Sequence, residues 1–304
     1  GTVPFSQLDF GKEVRKLLPE YFPDEEENLP KYVSNMASKL IFRQLFEMKS
    51  CTYTFLSRMS STRKAIIIDP VLETVERDSN LIHQLDLELI YGANTHVHAD
   101  HLIHQLDLEL IYGANTHVHA DHVTGTGELR RIFPKMRSVL SKYSGGKADI
   151  LVDDGEVLKF GNETLEVRTT PGHTDGCLTY VSLAHRMAFT GDALLIRGCG
   201  RTDFQQGNSR VLYKMIHEKI LSLPDDFIIY PGHDYKGITQ SSVAEEKKFN
   251  PRLTKSLDEF IEIMNNLKLS YPSQIDKSLP ANKVCGVYEL MDEETKAKVR
   301  PSVG

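Results

Sequence analysis

Apolar positions recur along this chain at two spacings, and the change from one to the other marks its elements. Residues 11–22 place Val14, Leu17, Leu18 and Tyr21 at helical intervals, which predicts a short surface helix. Pro23 and Pro30 then bracket an acidic stretch that reads as a solvated loop. From Leu40 the period shortens. Residues 41–46, 52–56 and 64–69 are rich in aliphatic and aromatic side chains, and Asp69-Pro70 stops the last run, so a meander of short strands is predicted. Residues 73–85 return to helical spacing, and residues 87–93 read as a strand that delivers residues 95–101 onto a loop. Helix is predicted again over 128–133 and strand over 138–140. A β-rich stretch follows at 150–152, 157–160, 164–169, 177–181 and 186–189. Residues 209–222 predict helix, 227–230 a strand, and 245–249 and 257–267 helices. From Pro280 the chain reads as irregular.

Many of these strands are separated by hairpin-length turns, which parallel neighbours cannot use. The order therefore predicts an α/β (α+β) layered sandwich rather than a doubly wound parallel sheet. With 304 residues, 40% hydrophobic and 26% charged, the chain is long enough for a real core. Its longest apolar runs, such as Ala65-Ile66-Ile67-Ile68, are too short to cross a bilayer. A net charge of −6 argues against a nucleic-acid or anionic-membrane surface. Cys51, Cys177, Cys199 and Cys285 show no paired spacing, which favours a reducing compartment over a disulfide framework. The first ten residues lack the pattern of a secretory signal, and Asp24-Glu25-Glu26-Glu27 speaks against a transit peptide. Met36-Ala37-Ser38 has the look of a start. Residues 1–39 are accordingly expected to be an N-terminal extension outside the fold, 40–290 the catalytic domain and 291–304 a C-terminal tail.

One feature breaks the ordinary pattern. Residues 81–101 and 102–122 are the same 21-residue string. One position in a fold cannot hold two strands, so one copy is expected to be left out, exposing apolar side chains and an unpaired edge. The second copy is the better candidate for a site, because only His122 runs directly into Val123-Thr124-Gly125-Thr126-Gly127 and the helix beyond. The first copy has the contiguous upstream helix.

The repeated string ends in the densest chemistry of the chain. Thr116-His117-Val118-His119-Ala120-Asp121-His122 carries three histidines and an aspartate. Three later stretches each place one imidazole or carboxylate at a strand end: Thr170-Pro171-Gly172-His173, Thr190-Gly191-Asp192 and Pro231-Gly232-His233-Asp234. Glycine beside each allows close backbone approach. Neutral imidazole and carboxylate suit zinc, iron or manganese. Asp69 either supports this loop through hydrogen bonds or simply closes its strand. Cys199 and Cys285 read either as redox-sensitive groups or as small buried hydrophobes.

These blocks, in this order over residues 40–290, resemble the metallo-β-lactamase superfamily. That resemblance implies a four-layer αββα sandwich with metal at one edge. It also implies two possible subsites, His117, His119 and His173 for one and Asp121, His122 and His233 for the other, with Asp192 between. Residues 191–205, Asn250-Pro251-Arg252-Leu253 and residues 280–286 are similar in finer detail to the persulfide dioxygenase family. Asp175-Gly176-Cys177 departs from the Ser/Pro-Gly-His usual in glyoxalase II. The finer resemblance implies a single Fe(II) held by His117, His173 and Asp192, with His119, Asp121, His122 and His233 as supporting groups or an unfilled second subsite. It implies O2 and glutathione persulfide as substrates, sulfite and glutathione as products, and Arg201, Tyr235 and Arg252 as the groups that hold the substrate. A small-molecule thiol persulfide is then the partner, with no nucleic acid and no membrane, and a homodimer as the self-association to look for. Mitochondria are implied by the resemblance, with the cytoplasm as the alternative. Two other readings remain: a dinuclear metal thiolesterase of the glyoxalase II type (hydroxyacylglutathione hydrolase), and an inactive protein if the duplication displaces the metal site.

Overall fold

The structure, a computed structural model, describes residues 40–59, 64–90 and 109–299. They lie within the compact unit Leu40–Gly304. The helix expected at 11–22 and the extension 1–39 fall outside the described residues.

The first sheet is laid down almost in chain order. It comprises β1 (Leu40–Glu47), β2 (Thr52–Met59), β3 (Lys64–Ile68), β4 (Glu109–Ala114), β5 (Arg137–Ser141) and β6 (Ile150–Val152), neighbours in that sequence. The pairs β1–β2 and β2–β3 are antiparallel, whereas β3–β4, β4–β5 and β5–β6 are parallel. The second sheet runs from β7 (Val157–Phe160) through β8 (Glu163–Thr169), β9 (Leu178–Ser182), β10 (Met187–Gly191) and β11 (Ile228–Pro231) to β12 (Ser241–Ser242). All its pairs are antiparallel except β10–β11.

The two-residue period of the strands separates three apolar layers. Phe55, Ile66, Ile68, Tyr180, Phe189 and Tyr230 meet between the sheets. Their chain neighbours Leu56, Ala65 and Ile67 face the opposite way, against Val75, Ile82 and Leu85 of α1 (Val75–Ile90) and Leu129 of α2 (Thr126–Ile132). On the far side, Val181, Ala188 and Ile229 pack on three helices. These are α3 (Ser209–Met215), α4 (Val243–Phe249) and α5 (Leu257–Asn265). Helices thus cover both outer faces, and the four-layer αββα sandwich is the observed architecture. Among the described residues no helix is long and apolar enough to cross a membrane.

Three local expectations are corrected. First, residues 87–90 are helical rather than strand, since α1 runs to Ile90. The same tripeptide, Glu-Leu-Ile, ends this helix at 88–90 and opens β4 at 109–111. In the first place it extends a helix already nucleated upstream. In the second, Glu109 and Leu110 pair with Lys64 and Ala65 of β3, and Leu110 is buried beneath α1 and α2. The duplication is therefore shared out: the helix comes from the first copy, the strand and the histidine turn from the second. Residues 91–108, with the first copy's His96–His101, lie outside the described residues.

Second, the predicted helix 209–222 is α3 followed by a π turn, Ile216–Ile220. Third, the chain beyond Pro280 is not irregular. It contains α6 (Ile275–Asn282), a 3-10 turn (Tyr288–Leu290) and α7 (Glu293–Lys298). Pro280 sits inside α6 and removes one backbone donor there. Packing compensates, because Ala281, Met291 and Val299 close over Val123, the residue that follows the histidine turn. The segment expected as a tail thus reaches back to the candidate site.

Candidate metal centre

The site is assembled where β3, β4, β8, β10 and β11 end. Asp69, just past β3, takes a left-handed backbone (φ 50°), which Asp tolerates better than most residues. Its carboxylate turns to the start of the histidine loop. Oδ1 accepts the Thr116 N–H at 2.7 Å and lies 3.1 Å from His119 Nε2, while Oδ2 accepts the Thr116 hydroxyl at 2.9 Å. A threonine hydroxyl has one proton. With that proton given to Asp69, Thr116 Oγ1 accepts from His117 Nδ1 at 3.0 Å. The Nε2 lone pair of His117 is left for a ligand.

The same logic fixes the other two donors. His173 Nδ1 donates to the Arg201 carbonyl at 2.7 Å, which leaves Nε2 free, and this atom is 3.7 Å from Asp192 Oδ2. Asp192 Oδ1 accepts from His233 Nδ1 at 2.6 Å. Donor atoms of His117, His173 and Asp192 all lie within 4.8 Å of one another. Each of the three therefore has its outer atom tied by a hydrogen bond and an inner atom free, the arrangement that orients metal ligands. These residues fit a metal ion, and a borderline or hard divalent cation suits two imidazoles and a carboxylate.

Close backbone approach makes the convergence possible. Gly191 has φ 50°, and a Cβ there would stand 2.5 Å from Thr116 Oγ1. A Cβ on Gly232 would meet Asp192 Oδ1 at 2.8 Å. Both glycines bring β10 and β11 within reach of the histidine loop, and no larger residue would fit.

Around this trio stands a second set of groups. His119, Asp121 and His122 also bring donor atoms within 4.8 Å of one another. His122 Nδ1 faces Asp121 Oδ2 at 2.8 Å. His119 Nδ1 and His122 Nε2 are buried without a hydrogen-bond partner. His233 Nε2 reaches Asp121 Oδ2 at 2.9 Å, so this imidazole stands between two carboxylates, with both ring nitrogens donating. Burial by itself would push its pKa down, but Asp192 and Asp121 outweigh burial and hold it well above the usual histidine range. For Asp192, burial opposes ionisation, and His233 outweighs it and holds the carboxyl well below the usual range. His117 is pulled well below the histidine range, by burial first and the neighbouring His119 second, so it is the neutral imidazole a metal requires.

A cavity of about 540 Å³ opens onto this centre, with His173, Asp192, Arg201, Tyr235 and Arg252 in its walls. All three side chains expected to hold substrate are therefore beside the donor trio. They are not equally available. The Arg201 guanidinium grips Asp203 with two bonds of 2.6 and 2.7 Å and donates to the Ser270 carbonyl at 2.8 Å. Arg252 donates to the Cys199 carbonyl at 3.2 Å, and its other partners among the described residues are sulfur atoms rather than carboxylates. Tyr235 is 69% exposed and stacks on the His233 ring at 5.8 Å. Cys199 and Cys285 are buried thiols, pushed up to about 11 and about 12 by burial, and behave as small hydrophobes.

Two participants are not singled out among the candidate site residues. Thr52 opens β2 and places its hydroxyl 3.3 Å from Asp121, His122 and His233 alike. Asn282 ends α6 and bonds the backbone of the histidine loop. The only hint of Asn282 in the sequence is its place within the 280–286 block.

Comparison with known proteins places the chain in a family. Residues 50–233 match the metallo-beta-lactamase superfamily. The mitochondrial persulfide dioxygenase ETHE1 of Homo sapiens is 51% identical over 248 residues, 82% of this chain and 89% of the human protein. The Mus musculus counterpart is 50% identical over 84% of this chain and 92% of its own length. The crystal structure of ETHE1 from Myxococcus xanthus superposes with a TM-score of 0.71 at 44% identity, covering 81% of this chain and 99% of that one.

Proposed function

This chain belongs to the metallo-beta-lactamase superfamily and, within it, to the persulfide dioxygenases; from that premise we propose that it is an Fe(II)-dependent enzyme oxidising glutathione persulfide. Persulfide, O2 and water give glutathione, sulfite and two protons. The observation that carries the reading is the donor trio His117, His173 and Asp192, each with its outer atom tied and its inner atom turned to a common point. Two imidazoles and one carboxylate leave coordination positions open, as non-haem oxygenase iron requires. Bound iron would supply the one-electron chemistry that lets O2 react with a closed-shell sulfur anion.

The protein's own groups then bind and orient. Arg252, free of any carboxylate partner among the described residues, is suited to hold a substrate carboxylate at the cavity wall. Tyr235 offers an exposed ring and hydroxyl at the same mouth, and Arg201 acts through its carbonyl, which fixes the His173 tautomer. The His233 cation balances Asp192 and Asp121, and because both its nitrogens are taken up by carboxylates it supports a one-metal centre. The mitochondrial naming of the mammalian relatives supports the same compartment for this chain.

A dinuclear thiolesterase is the second reading, favoured by the unpartnered nitrogens of His119 and His122 beside Asp121. Metal analysis with oxygen-electrode and sulfite assays on glutathione persulfide separates the two. One iron per chain with one O2 consumed per sulfite is expected. Two metals per chain, with hydrolysis of lactoylglutathione and no oxygen uptake, would overturn the dioxygenase reading.

A further inference from the structure

The histidine loop is held from two sides. Asp69 grips its beginning, as described. The other grip comes from the opposite end of the chain. Asn282, the last residue of α6 and only 2% exposed, directs its amide into the loop. Nδ2 donates to the His119 carbonyl at 2.9 Å and to the His122 carbonyl at 2.8 Å, and Oδ1 accepts the Thr124 N–H at 2.8 Å. Both amide protons and one oxygen lone pair are thus used on backbone groups of residues 119–124. A flipped amide would set its oxygen against two carbonyls, so this bonding pattern fixes the orientation. Buried loop backbone has no helix or strand partner of its own, and here one side chain provides three.

The anchor itself is closely packed. Gly127 packs so closely on the Gly286 carbonyl that a Cβ there would stand 2.1 Å from it, and Ala281, Met291 and Val299 close over Val123.

We infer that Asn282 is a positioning residue of the metal centre, setting the turn that carries His119, Asp121 and His122 and thereby the placement of His117 before it. This inference rests on the metal reading above. Partners that orient metal ligands typically change affinity by about 10- to 100-fold when removed.

The test compares two variants of the full chain by Fe(II) affinity in chelator competition, circular dichroism and thermal midpoint. Asn282→Asp keeps size and the acceptor for Thr124 but sets an oxygen against both carbonyls. Because Asn282 bonds the turn rather than His117, His173 or Asp192, this change is expected to weaken Fe(II) binding by about 10-fold, the low end of that range. Met291→Ala loosens the same C-terminal packing without touching the amide, and is expected to lower the midpoint while keeping iron affinity within about 2-fold, below the range for loss of an orienting partner. Should Asn282→Asp fail to fold, Asn282→Ala is read in the same way. Unchanged affinity in the Asn282 variant overturns the inference, as does a loss that follows the midpoint equally in both variants. A wild-type chain that takes up no Fe(II) overturns the metal reading as well, which is a different result from wild-type uptake with an indifferent Asn282 variant.

Discussion

His233 Nδ1 lies 2.6 Å from Asp192 Oδ1, and the other ring nitrogen is 2.9 Å from Asp121. A buried cation between two carboxylates is an arrangement in which removing one member costs far more than the set contributes. His233→Ala leaves two negative charges facing each other, Asp192 12% and Asp121 31% exposed. Truncation of one partner in a fully buried set costs about 3–5 kcal/mol, and the partial exposure of Asp121 places the loss here below that range. A bound cation at Asp192 would offset part of that loss. The expected outcome is a large fall in the thermal midpoint of metal-free protein and a smaller fall with Fe(II) present, read by paired melting curves. Equal falls in both would contradict the placement of metal at Asp192.

The choice between the two histidine turns is tested by single substitutions. His117→Ala should abolish iron binding, because it removes one of three inward-facing donors. His96→Ala, in the other copy, should leave iron content unchanged. Iron quantification on the two purified variants decides this, and the reverse result would reassign the site to the first copy.

Removing 21 residues between Asn80 and Val123 yields one sequence whichever copy is cut. Residues 88–90 must then serve as strand, and α1 shortens. The connection between α1 and β4, now residues 91–108, contracts to a few residues. A shorter connection between the same two elements costs less closure entropy, so a gain in stability is expected. Denaturant unfolding measures it, and iron content should be retained. A deletion variant that loses iron would mean that the insertion is needed at the site.

Thr116→Val is nearly isosteric but severs the path from Asp69 to His117 Nδ1. The backbone N–H bond to Asp69 remains. Leaving a buried carboxylate oxygen and an imidazole N–H unpaired costs about 1–3 kcal/mol for each group. Iron affinity should fall by about 10-fold, within the range for loss of an orienting partner. Calorimetry and chelator competition provide the two readings, and unchanged affinity would show that the hydroxyl does not orient His117.

Three thiols should resist alkylation. Burial raises Cys177 to about 12, Cys199 to about 11 and Cys285 to about 12. A raised thiol pKa keeps the group protonated until pH approaches that value, and the thiolate is the nucleophile. Iodoacetamide at pH 8 should therefore label the native protein at Cys51 alone, as peptide mass spectrometry would show. Labelling of Cys199 in folded protein would reveal an opening of the cavity wall absent here.

Local pattern alone determined a good deal of this protein. The short aliphatic and aromatic runs at 52–56, 64–69 and 186–189 assigned strands, and the glycine-flanked His173, Asp192 and His233 marked strand-end turns. Those signals are legible because they depend on neighbours a few residues away. Tertiary structure decided the rest. Nothing local distinguishes Glu88-Leu89-Ile90 from Glu109-Leu110-Ile111, yet one is helix and the other strand, because only the second pairs with β3. Pro280 reads as a helix breaker, yet α6 forms around it because Ala281 is buried against Val123. Asn282 lies in a family-like block that gives it no role, and its role arises where α6 meets a loop some 160 residues earlier, at His122. Hydrogen bonds and burial between distant segments are set by three-dimensional packing, and a one-dimensional pattern holds no record of which segments will meet.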